Sequence, residues 1–384
     1  MHQKTVLILG GGVGGLITAN VLSKSIGKNH RIILIDRDKQ YAFAPSFPWL
    51  ATGVRKPEKI CKDLNALKKK RIEFVEGEIT EINAEKKTVE VNGKVISGDI
   101  MVLAMGADLV PDSVNGLEGM GHNFYSLEGS KNLRDSLKNF HGGDLVVLIT
   151  SLPYKCPAAP YEMAMLLEYY CRKRKIRDKV NISMYAAEPG PMGVAGKELS
   201  GAVRQIVESK GIQYFPEHQL EKINAVEKSL HFTNGHEAHV DLLAYVPTHK
   251  VPDVVKSAGL TGESGWVQVD RNTLETKFSN IFAIGDITGI SLALGKPLPK
   301  AGVFAHYQAE VVAHNITVDI LGKGKSKSFT GDGECFIELG DGKAGFARGN
   351  FYKEPLPDVK MYKPGRHWHA GKVLFEKDWF RRWF

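Results

Sequence analysis

The glycine-rich stretch at residues 10–15 (G-G-G-V-G-G) constrains the fold of this chain more than any other feature. An apolar run at residues 5–9 precedes it, a helix is predicted over residues 16–25, and a second apolar run at residues 31–35 ends at Asp36. Glycines spaced as G-x-G-x-x-G let the backbone approach a pyrophosphate, the following helix presents free N–H groups, and an acid about 20 residues later holds a ribose hydroxyl. The sequence therefore predicts an N-terminal dinucleotide-binding βαβ unit. Its candidate cofactor-binding residues are Gly10, Gly12, Val13, Gly14, Gly15, Asp36 and Arg37.

The rest of the chain alternates strand and helix patterns, which predicts an α/β protein. Strands are expected at residues 71–76, 88–91, 100–105, 144–150, 181–187, 241–246 and 280–286, and helices at residues 160–174, 197–210 and 301–321. A second βαβ unit therefore begins near residue 144. Its loop, residues 151–160 (S-L-P-Y-K-C-P-A-A-P), has three prolines and no glycine, so it does not suit the pyrophosphate of NAD(P)H. Cys156 stands there instead, before a helix whose dipole is expected to lower the pKa of the thiol.

Composition and charge exclude several classes of protein. Hydrophobic residues make up 43% and charged residues 24% of the 384 residues, which excludes a disordered or collagen-like chain. The net charge of +8 is compatible with nucleic acid, a membrane surface or a small anion, and does not choose among them. The four cysteines have neither C-x-x-C spacing nor a cluster with histidine, so no metal site is expected. The apolar run at residues 6–22 is rich in glycine and has no cleavage motif after it, so we expect neither a cleaved signal peptide nor a spanning helix.

Several longer motifs carry a more specific resemblance. They are F-A-P-S-F-P-W-L-A-T-G (residues 43–53), K-C-P-A-A-P-Y-E-M-A-M-L-L-E-Y (155–169), L-P-K-A-G (298–302) with A-H-N-I (313–316), C-F-I-E-L-G-D (335–341) and G-R-H-W-H…F-E-K (365–377). Together they resemble the sulfide:quinone oxidoreductases and their relative, the flavoprotein of flavocytochrome c sulfide dehydrogenase. The resemblance implies a glutathione-reductase-like α/β fold with two Rossmann-like domains. Residues 1–110 and 248–321 would form a discontinuous FAD domain, residues 111–247 a second domain without an NAD(P)H site, and residues 322–384 a quinone and membrane segment.

The resemblance also implies a reaction and its residues. Sulfide would be oxidised to polysulfide or sulfur, with two electrons passing through a cysteine pair and FAD to a membrane quinone. The matching redox cysteines are Cys156 and Cys335, and Phe375 matches a residue that lines the quinone site. Further FAD-binding residues would be Pro45, Ser46, Ile79, Gly106, Gly285, Asp286 and Lys300. Glu162 either exchanges protons with sulfide or only favours the start of its helix, and Lys300 is either a charge beside the flavin or a solvated cation.

The chain also departs from the family pattern. A third cysteine often lies in the segment that reads H-N-F-Y-S-L here (residues 122–127), and its absence predicts that FAD is bound non-covalently. Cys61 and Cys171 match no redox cysteine and are expected to be buried. The tail from Gly365 mixes aromatic and basic residues, which suits a membrane interface or an amphipathic helix packed on the protein itself.

Partners and location follow from the same resemblance. The expected partners are sulfide, a quinone and a membrane surface, to which the protein would bind peripherally. No binding to nucleic acid is expected. The protein is also expected to be a homo-oligomer. Two alternatives stay open. The first is a flavoprotein that passes electrons from sulfide to cytochrome c, and the second is a flavin-fold thiol redox sensor.

Overall fold

The computed structural model describes residues 2–384, and its first 110 residues build a parallel sheet with a small antiparallel sheet beside it. The regular elements of this part are β1 (Thr5–Leu9), α1 (Val13–Ser25), β2 (Arg31–Asp36), β3 (Gln40–Ala42), α2 (Phe47–Ala51), α3 (Pro57–Ile60), β4 (Cys61–Asp63), β5 (Glu73–Glu76), β6 (Ile79–Asn83), β7 (Thr88–Val91), β8 (Lys94–Ser97), β9 (Ile100–Leu103) and β10 (Asp108–Val110). Strands β6, β7 and β8 form the antiparallel sheet.

The middle of the chain repeats this plan. Its elements are α4 (Leu117–Met120), β11 (Gly121–Asn123), α5 (Leu127–Asn139), β12 (Gly143–Ile149), α6 (Ala159–Lys173), β13 (Val180–Ala186), α7 (Lys197–Glu208), β14 (Gln213–Phe215), β15 (Leu220–Asn224), β16 (Ser229–Phe232), β17 (Glu237–His239) and β18 (Leu242–Val246). The second parallel sheet has the order β14-β13-β12-β18-β11, with the antiparallel sheet β15-β16-β17 beside it.

The chain then returns to the first sheet before it reaches its C-terminal part. The remaining elements are β19 (Thr248–Lys250), α8 (Asp253–Ser257), β20 (Ile281–Ala283), α9 (Gly302–Leu321), β21 (Asp332–Gly340), β22 (Lys343–Asn350), β23 (Asp358–Gly365) and α10 (Arg366–Trp383). Strand β20 pairs with β9, which gives the first sheet the order β5-β2-β1-β9-β20. All pairs within the two five-stranded sheets are parallel.

The central strands are buried on both faces, as expected for parallel sheets covered by other layers. Residues Val6, Leu7, Ile8 and Leu9 of β1 have no exposed surface, and Val147, Leu148 and Ile149 of β12 have none either. Strands that are buried on both faces carry continuous apolar runs, without the alternation of apolar and polar residues found in half-exposed strands. The predicted α/β class with two dinucleotide-binding folds is confirmed.

The C-terminal part packs back onto both domains. Strands β21, β22 and β23 form an antiparallel sheet, and Ile337 and Leu339 of β21 join the core of the second domain. Trp379 and Trp383 of α10 are buried in the core of the first domain. These two tryptophans therefore pack on the protein's own core, one of the two placements that the sequence left open. No helix within residues 2–384 has the length and apolar character needed to cross a bilayer.

Candidate active site

The first βαβ loop has the geometry of a pyrophosphate cradle. A Cβ atom on Gly10 would collide with the backbone of Ala104, and one on Gly15 would collide with the carbonyl of Gly10, so both positions need glycine. At Gly12, by contrast, a Cβ atom would meet nothing within 4 Å. Gly12 caps α1, and the first turn of this helix carries no acidic residue. The helix therefore offers its free N–H groups and positive end to an anion.

Asp36 ends β2 beside this loop. Its Oδ2 accepts the N–H of Gly11 at 2.5 Å and its Oδ1 accepts the N–H of Asp38 at 2.8 Å. Burial raises the pKa of the Asp36 carboxyl, although these two backbone donors oppose the change. Arg37 is largely exposed and pairs with Asp108 at 3.3 Å. The acid thus holds the loop in shape and lies where a ribose hydroxyl would be bound.

In the second βαβ unit, the proline-rich loop places Cys156 in a strained conformation. Cys156 has a φ of 50°, which an L-residue adopts at a cost in free energy. Its N–H donates to the carbonyl of Lys300 at 2.6 Å, and its own carbonyl accepts the Tyr125 hydroxyl at 3.1 Å and the N–H of Ala159 at 2.9 Å. These bonds tie the cysteine loop to the first domain and to the start of α6.

Cys156 precedes α6 and Cys335 lies on β21. These two elements are joined where the N–H of Glu338 donates to Glu162, although 178 residues separate the two cysteines in the chain. The structure holds both as free thiols; Cys335 is exposed and Cys156 half-buried. Desolvation raises the pKa of Cys156 to about 11, and the nearby Glu162 carboxylate adds to this rise. Desolvation also raises the pKa of Cys335 well above its usual range, with a further contribution from Cys156 itself.

The expectation that the helix dipole lowers the pKa of Cys156 is wrong. The loss of water around the thiol and the negative charge of Glu162 outweigh the positive end of α6. Lys372, on α10, acts in the opposite direction and lowers the pKa of both cysteines. The positive charge that lowers the pKa of the two thiols therefore comes from Lys372, which lies more than 200 positions after Cys156 in the sequence.

Glu162 is one of four buried or half-buried ionisable residues that connect α6, β21 and α10. The Glu162 carboxylate lies 2.5 Å from the Lys372 ammonium, and both side chains are about 5% exposed. It also accepts the backbone N–H of Glu338 at 3.0 Å. The Glu338 carboxylate in turn contacts Nδ1 of His369 at 2.9 Å. Glu162 therefore does more than favour the start of its helix.

The residues expected near the flavin form a second group. One carboxylate oxygen of Asp286 is buried and has no hydrogen-bond partner among the described residues, so it is free to bind a hydroxyl of a cofactor. The Lys300 ammonium donates to the carbonyls of Asp286 at 2.7 Å and Thr288 at 3.0 Å, and it lies over the Trp266 ring. Burial lowers the pKa of Lys300 to about 7. Together with the glycine loop, the unpaired Asp286 oxygen fits a flavin dinucleotide.

The other predicted site residues lie as follows. Val13 and Gly14 are the first two residues of α1, and a Cβ atom on Gly14 would collide with the side chain of Ile284. Pro45 and Ser46 form a turn before α2, where the Ser46 hydroxyl donates to Glu376 at 2.5 Å. The φ of Gly106 is +69° and that of Gly285 is +76°, and the N–H of Gly285 donates to Gln308.

Ile79 lies deeper than the other cofactor candidates. Its side chain is buried in the core of the first domain, so only its backbone is left to face a cofactor.

Phe375 lies on α10 with a partly exposed side chain. Its side chain is 39% exposed, with the Phe43 ring at 5.7 Å and the Phe336 ring at 6.4 Å. Phe43 belongs to the F-A-P-S motif and Phe336 follows Cys335 directly. An exposed ring between these two motifs is suited to stacking on a flat apolar ligand.

The two remaining cysteines are buried as expected. Cys61 belongs to the core of the first domain and Cys171 to the core of the second, and desolvation raises the pKa of both thiols. The sequence predicted no metal site, and this stays a prediction. Asp144, His239 and Asp241 hold potential ligand atoms within 4.8 Å of one another, and two of the three residues are exposed.

Sequence reasoning missed Lys372, Glu338, His369 and Tyr125. The first three lie within the segments that resemble the family, but their residue types alone do not mark them as functional. One signal was present: His369 and Lys372 are three positions apart on a predicted helix and so share a face. Tyr125 lies in the segment where the third cysteine was sought, and nothing in the sequence ties its hydroxyl to Cys156.

Comparisons with known proteins agree with this geometry. Residues 4–309 match the family described as pyridine nucleotide-disulphide oxidoreductase. The chain is 31% identical to a sulfide-quinone reductase of Aquifex aeolicus, over 97% of this chain and 90% of the relative. It is 24% identical to the mitochondrial sulfide:quinone oxidoreductase of Mus musculus, over 91% and 79% respectively. The crystal structure of the Aquifex aeolicus sulfide:quinone oxidoreductase superposes with a TM-score of 0.89 at 29% identity, covering 99% of this chain and 91% of that one.

Proposed function

The chain belongs to the sulfide:quinone oxidoreductase family and oxidises sulfide with electron transfer to quinone, and we propose that Cys156 and Cys335 carry the sulfide chemistry. The observation behind this assignment is that α6, which follows Cys156, and β21, which carries Cys335, meet at Glu162, whose carboxylate accepts the N–H of Glu338 and pairs with Lys372. Family membership implies a flavin, and the residues that would hold it are the glycine loop, Asp36 and Asp286. When bound, the flavin accepts two electrons from the cysteine side and passes them to quinone.

The cysteine step balances with quinone as the final two-electron oxidant. HS⁻ attacks one sulfur of the oxidised Cys156–Cys335 pair, the S–S bond breaks, and a persulfide forms on one cysteine while the other becomes a thiolate. Loss of two electrons and one proton from this persulfide and thiolate joins them through the added sulfur. Each HS⁻ is thus taken to the oxidation level of elemental sulfur, with release of one proton and two electrons.

The surrounding residues control charge during this step. Lys372 is proposed to stabilise the thiolate, since its charge lowers the pKa of both cysteines. Glu162 is proposed to accept the proton that sulfide releases, because it is the acid that acts on both thiols. The bonds to the carbonyl and N–H of Cys156 hold its backbone in place, which limits the rearrangement of this loop between turnovers.

The quinone side is proposed to lie at Phe375. The ring is exposed, and the neighbouring Leu374 is 64% exposed, although both lie on a helix whose other face is buried. Arg381 and Arg382 are exposed further along the same helix. An apolar edge followed by basic residues supports peripheral attachment to an anionic membrane surface, from which a quinone would reach the ring.

Two finer points belong to the same proposal. FAD is proposed to be bound non-covalently, because Phe124 and Tyr125 occupy the segment where the family's third cysteine lies. The homo-oligomer that the resemblance implies stays a prediction.

The function is tested by adding sulfide anaerobically to the purified flavoprotein and following the flavin band in a stopped-flow spectrometer. We expect bleaching by sulfide and recovery of the band when a soluble quinone analogue is added. NADH and NADPH serve as controls, and neither should bleach the flavin, because the loop at residues 151–160 lacks glycine. Reoxidation by cytochrome c but not by quinone would favour the cytochrome-linked alternative, and a single round of thiol oxidation without turnover would favour the redox sensor.

A further inference from the structure

A buried carboxylate in the second βαβ unit lies outside the sulfide chemistry proposed for the cysteines. Glu188 lies two residues after β13, the strand that follows α6 in this unit. In the first unit, Asp36 holds the corresponding place at the end of β2. An acid at this place in a dinucleotide fold binds a ribose hydroxyl of the nucleotide. Glu188 is therefore the acid that a nucleotide in the second unit would meet.

Two tyrosine hydroxyls bond this carboxylate. The hydroxyls of Tyr154 and Tyr161 both donate to Oε1 of Glu188, the first of them at 2.6 Å. All three side chains are buried. Burial raises the pKa of the Glu188 carboxyl, and the two hydroxyl donors oppose this rise. This carboxylate oxygen is thus bonded within the protein itself.

The two tyrosines come from different parts of the unit. Tyr161 lies on α6, whereas Tyr154 lies in the proline-rich loop, two residues before Cys156. In the first unit the acid also bonds the loop that follows the first strand, since Asp36 accepts the N–H of Gly11. The same position therefore fixes this loop in both units, through a backbone N–H in the first and a side-chain hydroxyl in the second.

The cysteine loop needs such bonds because its backbone is strained. The φ of Cys156 is 50°, a conformation that costs free energy in an L-residue and persists only where the surroundings enforce it. The carbonyl of Lys300 and the hydroxyl of Tyr125 bond the N–H and the carbonyl of Cys156. The Tyr154 hydroxyl adds a bond to the segment after β13, just before the strained residue.

We propose that Glu188, through Tyr154, is a positioning residue that holds Cys156 in the conformation needed for its reaction with sulfide. This inference rests on the proposed function of the cysteine pair and adds two residues that act through the backbone of the loop. Release of the loop would let Cys156 move toward water. Because desolvation raises the pKa of this thiol to about 11, such a movement would lower the pKa toward its ordinary value.

The positioning role is tested with Tyr154→Phe and a matched control, Tyr161→Phe. Each variant removes one hydroxyl from the same carboxylate oxygen, so both should lower the melting midpoint of the holoprotein by a similar amount. Only Tyr154→Phe frees the loop. In reduced holoprotein, iodoacetamide should therefore alkylate Cys156 at least about tenfold faster in Tyr154→Phe than in the wild type, because the thiolate fraction and the exposure of the thiol both rise. Cys335 of the same sample, followed by peptide mass spectrometry, is the internal reference and should keep its rate.

The same two variants separate positioning from a loss of packing. Sulfide-dependent bleaching of the flavin should slow at least about tenfold in Tyr154→Phe, since a displaced reacting group loses rate, and should stay near the wild-type rate in Tyr161→Phe. The pH profile of Cys156 alkylation should move to lower pH in Tyr154→Phe alone. If the two variants change Cys156 alkylation or bleaching to the same extent, the positioning role is wrong.

Two substitutions of Glu188 provide a second check. Glu188→Gln keeps an acceptor oxygen for the Tyr154 hydroxyl and should retain most of the bleaching rate, whereas Glu188→Leu removes the acceptor and should behave like Tyr154→Phe. A Gln variant as slow as the Leu variant would also refute the role. Alkylation needs no sulfide, so it tests the positioning by itself. Wild-type protein that sulfide does not bleach would instead overturn the proposed function, so the two failures are distinguishable.

Discussion

Removal of the Lys372 ammonium should reveal how strongly the fold depends on the buried ion pair. The pair joins α6 to α10 at 2.5 Å, with side chains that are 5–6% exposed. In Lys372→Met the Glu162 carboxylate would keep only the N–H of Glu338 as a partner. Breaking a buried pair by removing one partner costs about 3–5 kcal/mol. At about 2 °C per kcal/mol for a large chain, the melting midpoint should fall by about 6–10 °C.

The assay is thermal unfolding of the flavin-loaded protein, followed by far-UV circular dichroism. Lys377→Met is the matched control, because Lys377 is an exposed lysine of the same helix, and its midpoint should change by less than about 1 °C. The double variant Glu162→Gln with Lys372→Met should recover most of the lost stability, since no buried charge is left unpaired. If Lys372→Met costs less than about 1 kcal/mol, or if the two substitutions simply add, the pair does not act as a desolvated unit.

The pH dependence gives a second check on the same reasoning. Burial raises the pKa of Glu338, and Lys372 opposes this rise, so its removal raises that pKa further. An acid with a raised pKa in the folded state binds more protons folded than unfolded, so stability falls as the pH rises through that window. The deficit of Lys372→Met should therefore shrink as the pH is lowered from neutral, because Glu338 becomes protonated at a higher pH when Lys372 is absent. A deficit that grew on acidification would contradict this assignment.

Three further predictions concern the reaction. Cys156→Ser and Cys335→Ser should each slow sulfide bleaching by more than about a hundredfold, and the double variant should be scarcely worse, because the two thiols act as one unit; wild-type bleaching in either single variant would end the paired mechanism. Phe375→Ala should leave sulfide bleaching intact and raise the KM for a quinone analogue about fivefold, since a stacked ring contributes about 1 kcal/mol; equal loss of both half-reactions would indicate a misfolded tail. Acid denaturation should release free FAD into the supernatant, and flavin that stays with the precipitate would show covalent attachment.

Local patterns made the first nucleotide site predictable. The contacts of Gly10, Gly15 and Asp36 lie within one βαβ unit or on the strand beside it, so the sequence spacing already contains most of the geometry. The prolines and the lack of glycine around Cys156 also act locally, on the nearest backbone, and that this loop does not bind NAD(P)H stays a prediction. The positive φ of Cys156 was not predictable, since it depends on bonds to Lys300 and Tyr125 from other parts of the chain.

The electrostatics of the cysteines could not be predicted from the sequence. The dipole of α6 is a local feature, and it favours a lower pKa for Cys156. The dominant effects are burial and the charges of Glu162 and Lys372, of which Lys372 lies more than 200 residues further along the chain. Such effects depend on how the C-terminal sheet folds back onto α6. A resemblance to a family identifies the two cysteines, but it does not predict which charged side chains surround them in the fold.

Helix α10 shows why the tail was hard to interpret from its composition. Its inward face carries His369, Lys372 and Glu376, each held by a partner from another element, while Leu374 and Phe375 are exposed. Ionisable side chains thus share the buried side of the helix with Trp379 and Trp383, whereas an ordinary surface helix buries apolar residues alone. This arrangement supports the proposal that one helix does two tasks. In that proposal its buried charges serve the cysteine site, and Leu374 and Phe375 meet a quinone and a lipid surface.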